Sequence, residues 1–433
     1  MTSPASPLSR SHRHYVLGLL LLAYILSFID RNIMAVLVTP IQADLQISDS
    51  EFALLHGFAF AVFYTLLGLP IARWADRGNR VTVIAAGVLF WSVMTALCGV
   101  ARQFSSLFIA RMGVGLGEAA LSPASHSVLS DLYPRSQLPM AMAVYTLGIT
   151  IGGGLAYTLG GQVYGYFSAR EALVLPVLGA VAAWQVTFLL LGLPGVLLAL
   201  LLWGLREPQR TGRVLHDDGV LPLAEVLRFA RTHWRLYVPG FAGIALLSIL
   251  GYGVLTWLVA FLQRSYGMPL QDAASAFGLI YVLAGSAGAL SGGAYASWLQ
   301  RRHTDANLRM VVHVAIAACV PAVLAPLMPT ATLSLVLITP LVFLLNAYFG
   351  VSIAAFQLVT PNEMRAQISA VFLFVTNLTG LALGPILVAA LTDRVFADAA
   401  CLRYSLAILG AAMAPLAAGC LMACLPAYRT MLK

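Results

Sequence analysis

The sequence predicts an all-α polytopic membrane protein, with twelve transmembrane helices arranged as two six-helix pseudo-repeats. Three observations lead there. Hydrophobic residues make up 60% of the 433 and charged residues only 10%, with a mean hydropathy of +0.87, far from the composition of soluble domains. Apolar windows of about 20 residues, the length that crosses a bilayer, recur between charge clusters and Pro/Gly turns. Short patterns from the first half return in the second: Gly68, Ala72, Trp74 and Arg77 as Gly292, Ala296, Trp298 and Arg301, and Pro134, Ala143, Val144 and Gly153 as Pro361, Ala370, Val371 and Gly380.

Taken in order, the first six windows lie near 15–39, 52–72, 81–101, 104–129, 139–164 and 184–205. The second six lie near 236–262, 273–299, 309–328, 331–358, 366–391 and 403–426. The longest polar stretch, 206–235, reads as a linker between an N-terminal bundle (1–205) and a C-terminal bundle (236–433). Arg10 and Arg13 precede the first apolar run as in a signal peptide, but the run continues through Asp30 and Arg31 without a small-residue cleavage site, so it reads as a retained span. Most of the 25 Lys and Arg fall in the tails and the even-numbered connections, which puts both termini and the linker in the cytoplasm. Asn377-Leu-Thr379 matches a glycosylation sequon but lies inside a span. A short chain of this kind fits a bacterial cytoplasmic (inner) membrane.

Asp30, Arg31, Arg111 and Glu118 place two acids and two bases inside spans one and four, whereas the interiors of the second-half spans hold no such charge. Arg111 and Glu118, about two turns apart, share one helix face. A charge at mid-bilayer costs about 2.5 to 3.5 kcal/mol even on lenient scales, so four of them demand partners or a wet cavity. Arg31 and Arg111 are expected to attract an anionic group. Glu118 and Asp30 are expected to exchange protons, because burial and a nearby guanidinium pull on a carboxylate's proton affinity in opposite directions. The alternative is a structural ion-pair lock between spans one and four.

The turn between spans two and three reads A-R-W-A-D-R-G-N-R from Ala72 to Arg80. Gly78 or Asn79 is expected to take a positive φ there, and Asp76, with Arg77 and Arg80, to latch a cytoplasmic gate by meeting helix N-termini. Glycines crowd spans four and five, at Gly113, Gly115, Gly117, Gly148, Gly152, Gly153 and Gly154, where small residues let helices approach. In span eleven, Gly380, Gly384 and Pro385 add a bend. Candidates to line a cavity are Tyr145, Tyr157, Tyr252, Trp257, Tyr281, Phe349, Phe356, Phe372 and Phe374, with Asn346, Gln357 and Asn377 as uncharged polar groups at membrane depth. A charged first half facing an uncharged, aromatic second half suits an amphiphile.

His56, His126 and His313 have no carboxylate or cysteine at ligand spacing, and the five cysteines show no metal-like spacing. No metal or cofactor is expected, and a proton serves as coupling ion. Nucleic acid is excluded because no basic patch alternates with stacking aromatics outside the spans. A membrane-embedded lipid-modifying enzyme would need a nucleophile-base or metal constellation near the interface, and the sequence offers none.

The Asp76-Arg77 turn and the Arg111 stretch resemble signatures of the major facilitator superfamily. Within it the chain is similar to the spinster lipid transporters and their bacterial relatives, on Asp30-Arg31; Asp76 to Arg80; Val114 to Ala119 (V-G-L-G-E-A); Gly152 to Gly161; and Gly192-Leu193-Pro194-Gly195 before Arg206-Glu207-Pro208. These cover most of the first half. Ala72 and Asn79 depart from the superfamily turn, which has glycine at both places; the asparagine is shared with spinster relatives. The resemblance implies proton-linked movement of lysophospholipids or sphingosine 1-phosphate-like molecules by alternating access. It puts Arg31 and Arg111 on the headgroup and Asp30 and Glu118 on the proton. A rival of the same fold is a proton-coupled symporter of small organic anions. The expected partners are the lipid or organic-anion substrate and the bilayer, and the chain is expected to act as a monomer.

Overall fold

Pro40 sets where the first helix stops. Its ring excludes the carbonyl four residues back, that of Val36, and it has no N–H to give. In a computed structural model, which describes residues 10–134, 136–170, 174–176, 178–208 and 223–432, the first helix accordingly ends at Val36 and a new one runs Val38–Leu45.

Among the described residues twelve helices are long and apolar enough to cross a membrane. Spans one to six are Ser11–Val36, Asp49–Ala75, Arg80–Cys98, Phe104–Leu132, Met140–Ser168 and Ala183–Trp203. Spans seven to twelve are Trp234–Tyr266, Leu270–Gln300, Ala306–Leu327, Ala331–Val359, Gln367–Phe396 and Ala399–Met431. Several begin earlier or run longer than hydropathy indicates, because polar caps extend them. Ser48 and Glu51 form a capping box, with Ser48 Oγ accepting from Glu51 N (3.2 Å) and Ser48 N donating to Glu51 Oε2 (2.8 Å), which starts span two at Asp49. The expectation of a positive φ at Gly78 or Asn79 is corrected: neither adopts one. Asn79 instead caps span three, its Oδ1 accepting from Thr82 N at 2.9 Å with φ at −81°.

The chain packs as two compact units. The first is Met1–Met34 with Val62–Leu215, and the second is Ala35–Ala61 with His216–Lys433. The C-terminal end of span one and the start of span two thus pack with spans seven to twelve. In the first unit span three lies against spans four and six; in the second, span nine lies against spans ten and twelve. A short antiparallel pair, Val174–Leu175 with Gly179–Ala180, joins spans five and six.

Proline also breaks spans four and eleven. Pro123 excludes the Ala119 carbonyl, so span four is built from Phe104–Glu118 and Leu121–Leu132, and Glu118 closes the first segment. Pro385 likewise frees the Leu381 carbonyl, after a widened turn over Leu378–Leu383. Gly57 of span two sits against that carbonyl so closely that a Cβ would lie 2.3 Å from the oxygen. Large apolar side chains such as Leu66, Ile109, Leu197 and Leu290 remain more than half exposed on the spans, as lipid-facing side chains must be.

Candidate functional site

Ser27, Asp30 and Arg31 are spaced i, i+3, i+4 and therefore share one side of span one. That side meets span four in the first unit. Arg31 donates to Glu118 Oε2 from Nη2 (2.8 Å) and Nε (3.3 Å), and Ser27 Oγ donates to the same oxygen at 2.8 Å. The Arg31 guanidinium also lies 4.7 Å from the ring centres of both Phe28 and Tyr64, an aromatic clamp that holds a planar cation. Arg111, fully buried, donates from Nη1 to the Asp30 backbone carbonyl at 3.1 Å. The Asp30 side chain, 2% exposed, has Glu118, Arg111, Thr95 and Trp91 around it.

All four ionisable groups singled out in the sequence are thus gathered within one unit, Arg31 ion-paired with Glu118 and Arg111 bonded to the Asp30 backbone carbonyl. Their formal charges sum to zero. Asp30 Oδ1 and Glu118 Oε1 are both buried and make no hydrogen bond. A buried carboxylate oxygen without a donor is costly.

Gly117 lets span four come this close to span three. A Cβ there would meet Trp91 N and Cβ at 2.8 Å and the Gly87 carbonyl at 3.0 Å, so a glycine at this position places Glu118 beside Trp91 and its neighbours.

At one end of the first unit, Arg80 is buried (2% exposed) and gathers four partners from span four and the segment after span six. Its Nε donates to Glu207 Oε1 (2.7 Å), Nη1 to Ser127 Oγ (2.8 Å) and Asp131, and Nη2 to the Pro208 carbonyl (3.2 Å). Glu207 Oε2 accepts from Val81 N at 3.1 Å, a carboxylate on a helix N-terminus. The side chains of Asp76 and Arg77, the other two gate candidates, lie outside the described ones. In the second unit the signs reverse: Asp305 accepts from Arg309 (3.0 and 3.1 Å) and from Arg429 of span twelve (2.6 Å). Burial pushes the Asp305 carboxyl up, but the two arginines outweigh it and hold it below the usual range.

The aromatic candidates divide. Tyr145 and Tyr157 are fully buried in the first unit, Tyr145 stacked on Tyr24 (4.4 Å, 5°) and edge-on to His126. In the second unit Trp257 is fully buried, donating Nε1 to the Pro385 carbonyl at 3.1 Å, and Phe356 sits in an apolar core with Tyr237, Phe241 and Phe372. Tyr281 is buried against Phe277. Tyr252, Asn346, Phe349 and Asn377 are half-buried, and Asn346 Nδ2 donates back to the Val342 carbonyl at 2.8 Å.

Sequence reasoning missed several groups. Ser27, Tyr64 and Phe28 around Arg31 are among them, and Ser27 was detectable from its i, i+4 spacing to Arg31. Also missed is a polar cluster in the second unit, where Arg264 of span seven donates to both Asp49 oxygens and to Gln42 Oε1, each at 2.7 Å. Beside it Thr39 donates to Gln263 (2.9 Å) and Ser50 N to Asp393 (2.7 Å).

Comparison with known proteins matches residues 20–389 to the Major Facilitator Superfamily model. An MFS-type efflux pump of Mycolicibacterium smegmatis is 31% identical, covering 97% of this chain and 96% of the pump. The sphingosine-1-phosphate transporter SPNS2 of Danio rerio is 30% identical over 146 residues, 33% of this chain and 29% of that protein. Among solved structures, a bacterial homologue of the human lysosomal transporter Spinster, inward-facing and unoccupied, superposes with a TM-score of 0.78 at 27% identity, covering 98% of this chain and 97% of that one.

Proposed function

The chain belongs to the major facilitator superfamily and is a multi-pass membrane transporter related to spinster, and on that premise we propose that it moves an amphiphilic anionic lipid by proton-coupled alternating access. The substrate class is a lysophospholipid or a sphingosine 1-phosphate-like molecule. The single observation that carries this reading is the buried quartet of Asp30, Arg31, Arg111 and Glu118, with one oxygen of each carboxylate left without a donor.

The chemistry follows from charge balance. An anionic headgroup that takes the Arg31 guanidinium away from Glu118 strands a carboxylate inside an apolar bundle, where only the protonated form is tolerated. One anion in and one proton onto Glu118 return the quartet to zero net charge. Release of the headgroup reverses both steps, and Asp30 beside Arg111 offers a second carboxylate to the same exchange. The Phe28 and Tyr64 rings hold Arg31 oriented while its partner changes.

Alternating access also needs fastenings that let go. Asp49 and Arg264 are one: the segment 35–61 is continuous with span one yet fastened to span seven by this ion pair. Arg80, with Asp76 and Arg77, serves the cytoplasmic gate. We place both termini and the linker in the cytoplasm, in a bacterial inner membrane, and take the monomer as the working unit.

The test is a thermal-stabilisation screen of the purified protein against anionic lysophospholipids, their neutral analogues and small carboxylates. The account expects the largest stabilisation from the anionic lysolipids. Stabilisation by small carboxylates alone would select the organic-anion symporter of the same fold.

A further inference from the structure

We propose that His126 delivers protons to Glu118 along a row of hydroxyl groups between spans four and five, a role that rests on the proton-coupled reading above and adds residues outside the charged quartet. Span four supplies one side of the row. Ser122, Ser125 and His126 follow Glu118 at i+4, i+7 and i+8, within about 100° of one another around the helix axis. Ala119 and Ala120, between the two segments of this span, keep right-handed helical angles (φ −60°, ψ −22° and φ −75°, ψ −28°), so the helical phase carries across the break. All three side chains therefore lie on the side that carries Glu118. His126 stands roughly 12 Å from Glu118 along the axis, too far for a single proton transfer, and the two serines divide that length.

Span five supplies the other side. Tyr145 is fully buried, stacked on Tyr24 at 4.4 Å and edge-on to the His126 ring at 5.5 Å and 78°. Around its hydroxyl are Ser125 and Ser122 of span four, Tyr24 of span one and Tyr64 of span two, and the Tyr64 ring faces the Arg31 guanidinium. Ser125 Oγ and Tyr145 Oη are both buried and make no hydrogen bond. Burying two hydroxyls without partners is costly, and apolar groups of the same shape would serve packing better. These two positions thus hold a chemistry that packing does not call for.

That chemistry suits a proton in transit. A hydroxyl accepts a proton on a lone pair and donates its own from the other side, so it hands the proton on without keeping a charge. The row has a wet end and a dry end: His126 is exposed, whereas Ser125, Tyr145 and Glu118 are buried. Imidazole is the side chain that loads and unloads a proton near neutral pH, and no charged group among the described residues acts on His126. The imidazolium gives its N–H proton to the row, Glu118 Oε1 receives one at the far end, and the neutral ring reloads from water. Release runs the same steps backwards. The wet end lies toward Ser127 and Asp131, beside Arg80, the end that the reading above places in the cytoplasm.

The experiment reads the initial rate of proton movement driven by lysophosphatidylglycerol in liposomes carrying a pH-sensitive dye. His126→Gln is expected to slow it at least about tenfold. His126→Glu, of the same shape as the glutamine but able to carry a proton, is expected to keep most of the rate with its pH dependence moved toward acid, as a carboxyl titrates below an imidazole. Tyr145→Phe, which keeps the ring and its stacking, is expected to slow the rate as His126→Gln does. A wild-type rate in His126→Gln or Tyr145→Phe overturns the proposal, and so do equal rates in His126→Gln and His126→Glu. Absence of lysolipid-driven proton movement in the wild type would instead overturn the proton-coupled reading itself, which tells the two failures apart.

Discussion

The ion pair of Arg31 and Glu118 should show itself as a coupling energy. Arg31→Gln and Glu118→Gln each leave one buried charge facing an amide. Glu118 is fully buried at its side chain and Arg31 is 9% exposed, so solvent does little to rescue either. Breaking such a pair from one side costs about 3 to 5 kcal/mol. Glutamine restores one neutral hydrogen bond, about 1 kcal/mol, and Ser27 remains as a donor to position 118. Each single variant is therefore expected to lose roughly 2 to 4 kcal/mol. The double variant removes both charges at once and leaves Asp30 and Arg111 balanced, so it should lose less than the sum by about 1.5 to 3 kcal/mol. Equilibrium unfolding of the four proteins in mixed micelles measures this directly. Additivity within about 0.5 kcal/mol would refute the reasoning, since it would mean that the pair has no energetic identity in the folded protein.

The other predictions concern ligand, backbone and pH. Arg31→Ala and Arg111→Ala should each weaken binding of an anionic lysolipid more than of its neutral analogue, and equal losses in a binding titration would point to structural damage instead. Gly57→Ala should destabilise by about 1 to 3 kcal/mol or more, because the new methyl meets the Leu381 carbonyl. Gly350→Ala, with nothing within 4 Å, should stabilise by up to about 1 kcal/mol through helix propensity; thermal melts that give both changes one sign would contradict the packing described. Asp305 is held below its ordinary carboxylate range by Arg309 and Arg429 against the opposing push of burial. The stability it supplies is complete above the unfolded value of about 3.9 and disappears as pH falls through the lower folded value. Asp305→Asn should therefore flatten the acid limb of a stability-pH profile below about pH 4, and an unchanged limb would remove Asp305 from that role.

What could be read from the sequence was what the bilayer forces into local pattern. Apolar length gave every span, and the cost of a membrane charge marked Asp30, Arg31, Arg111 and Glu118, which the folded chain does gather. Span ends were less legible, since they depend on caps and prolines: Ser48 starts span two, Pro40 stops span one, and Asn79 caps span three with an ordinary negative φ. Pairing across long separations was not legible at all. Nothing in the local sequence ties Asp49 to Arg264, and nothing says that 35–61 packs with the second half. Exposure of the aromatics was equally hidden, because a phenylalanine such as Phe356 and one such as Phe349 look alike in hydropathy while one fills a core and the other is half open.

The central claim is that Glu118 exchanges a proton when an anion takes Arg31. The most direct measurement is substrate-driven proton movement in liposomes carrying a pH-sensitive dye, for the wild type and Glu118→Gln side by side. The account predicts lysolipid-dependent proton flux in the wild type and none in a folded Glu118→Gln protein. Flux of wild-type size in the variant would contradict it.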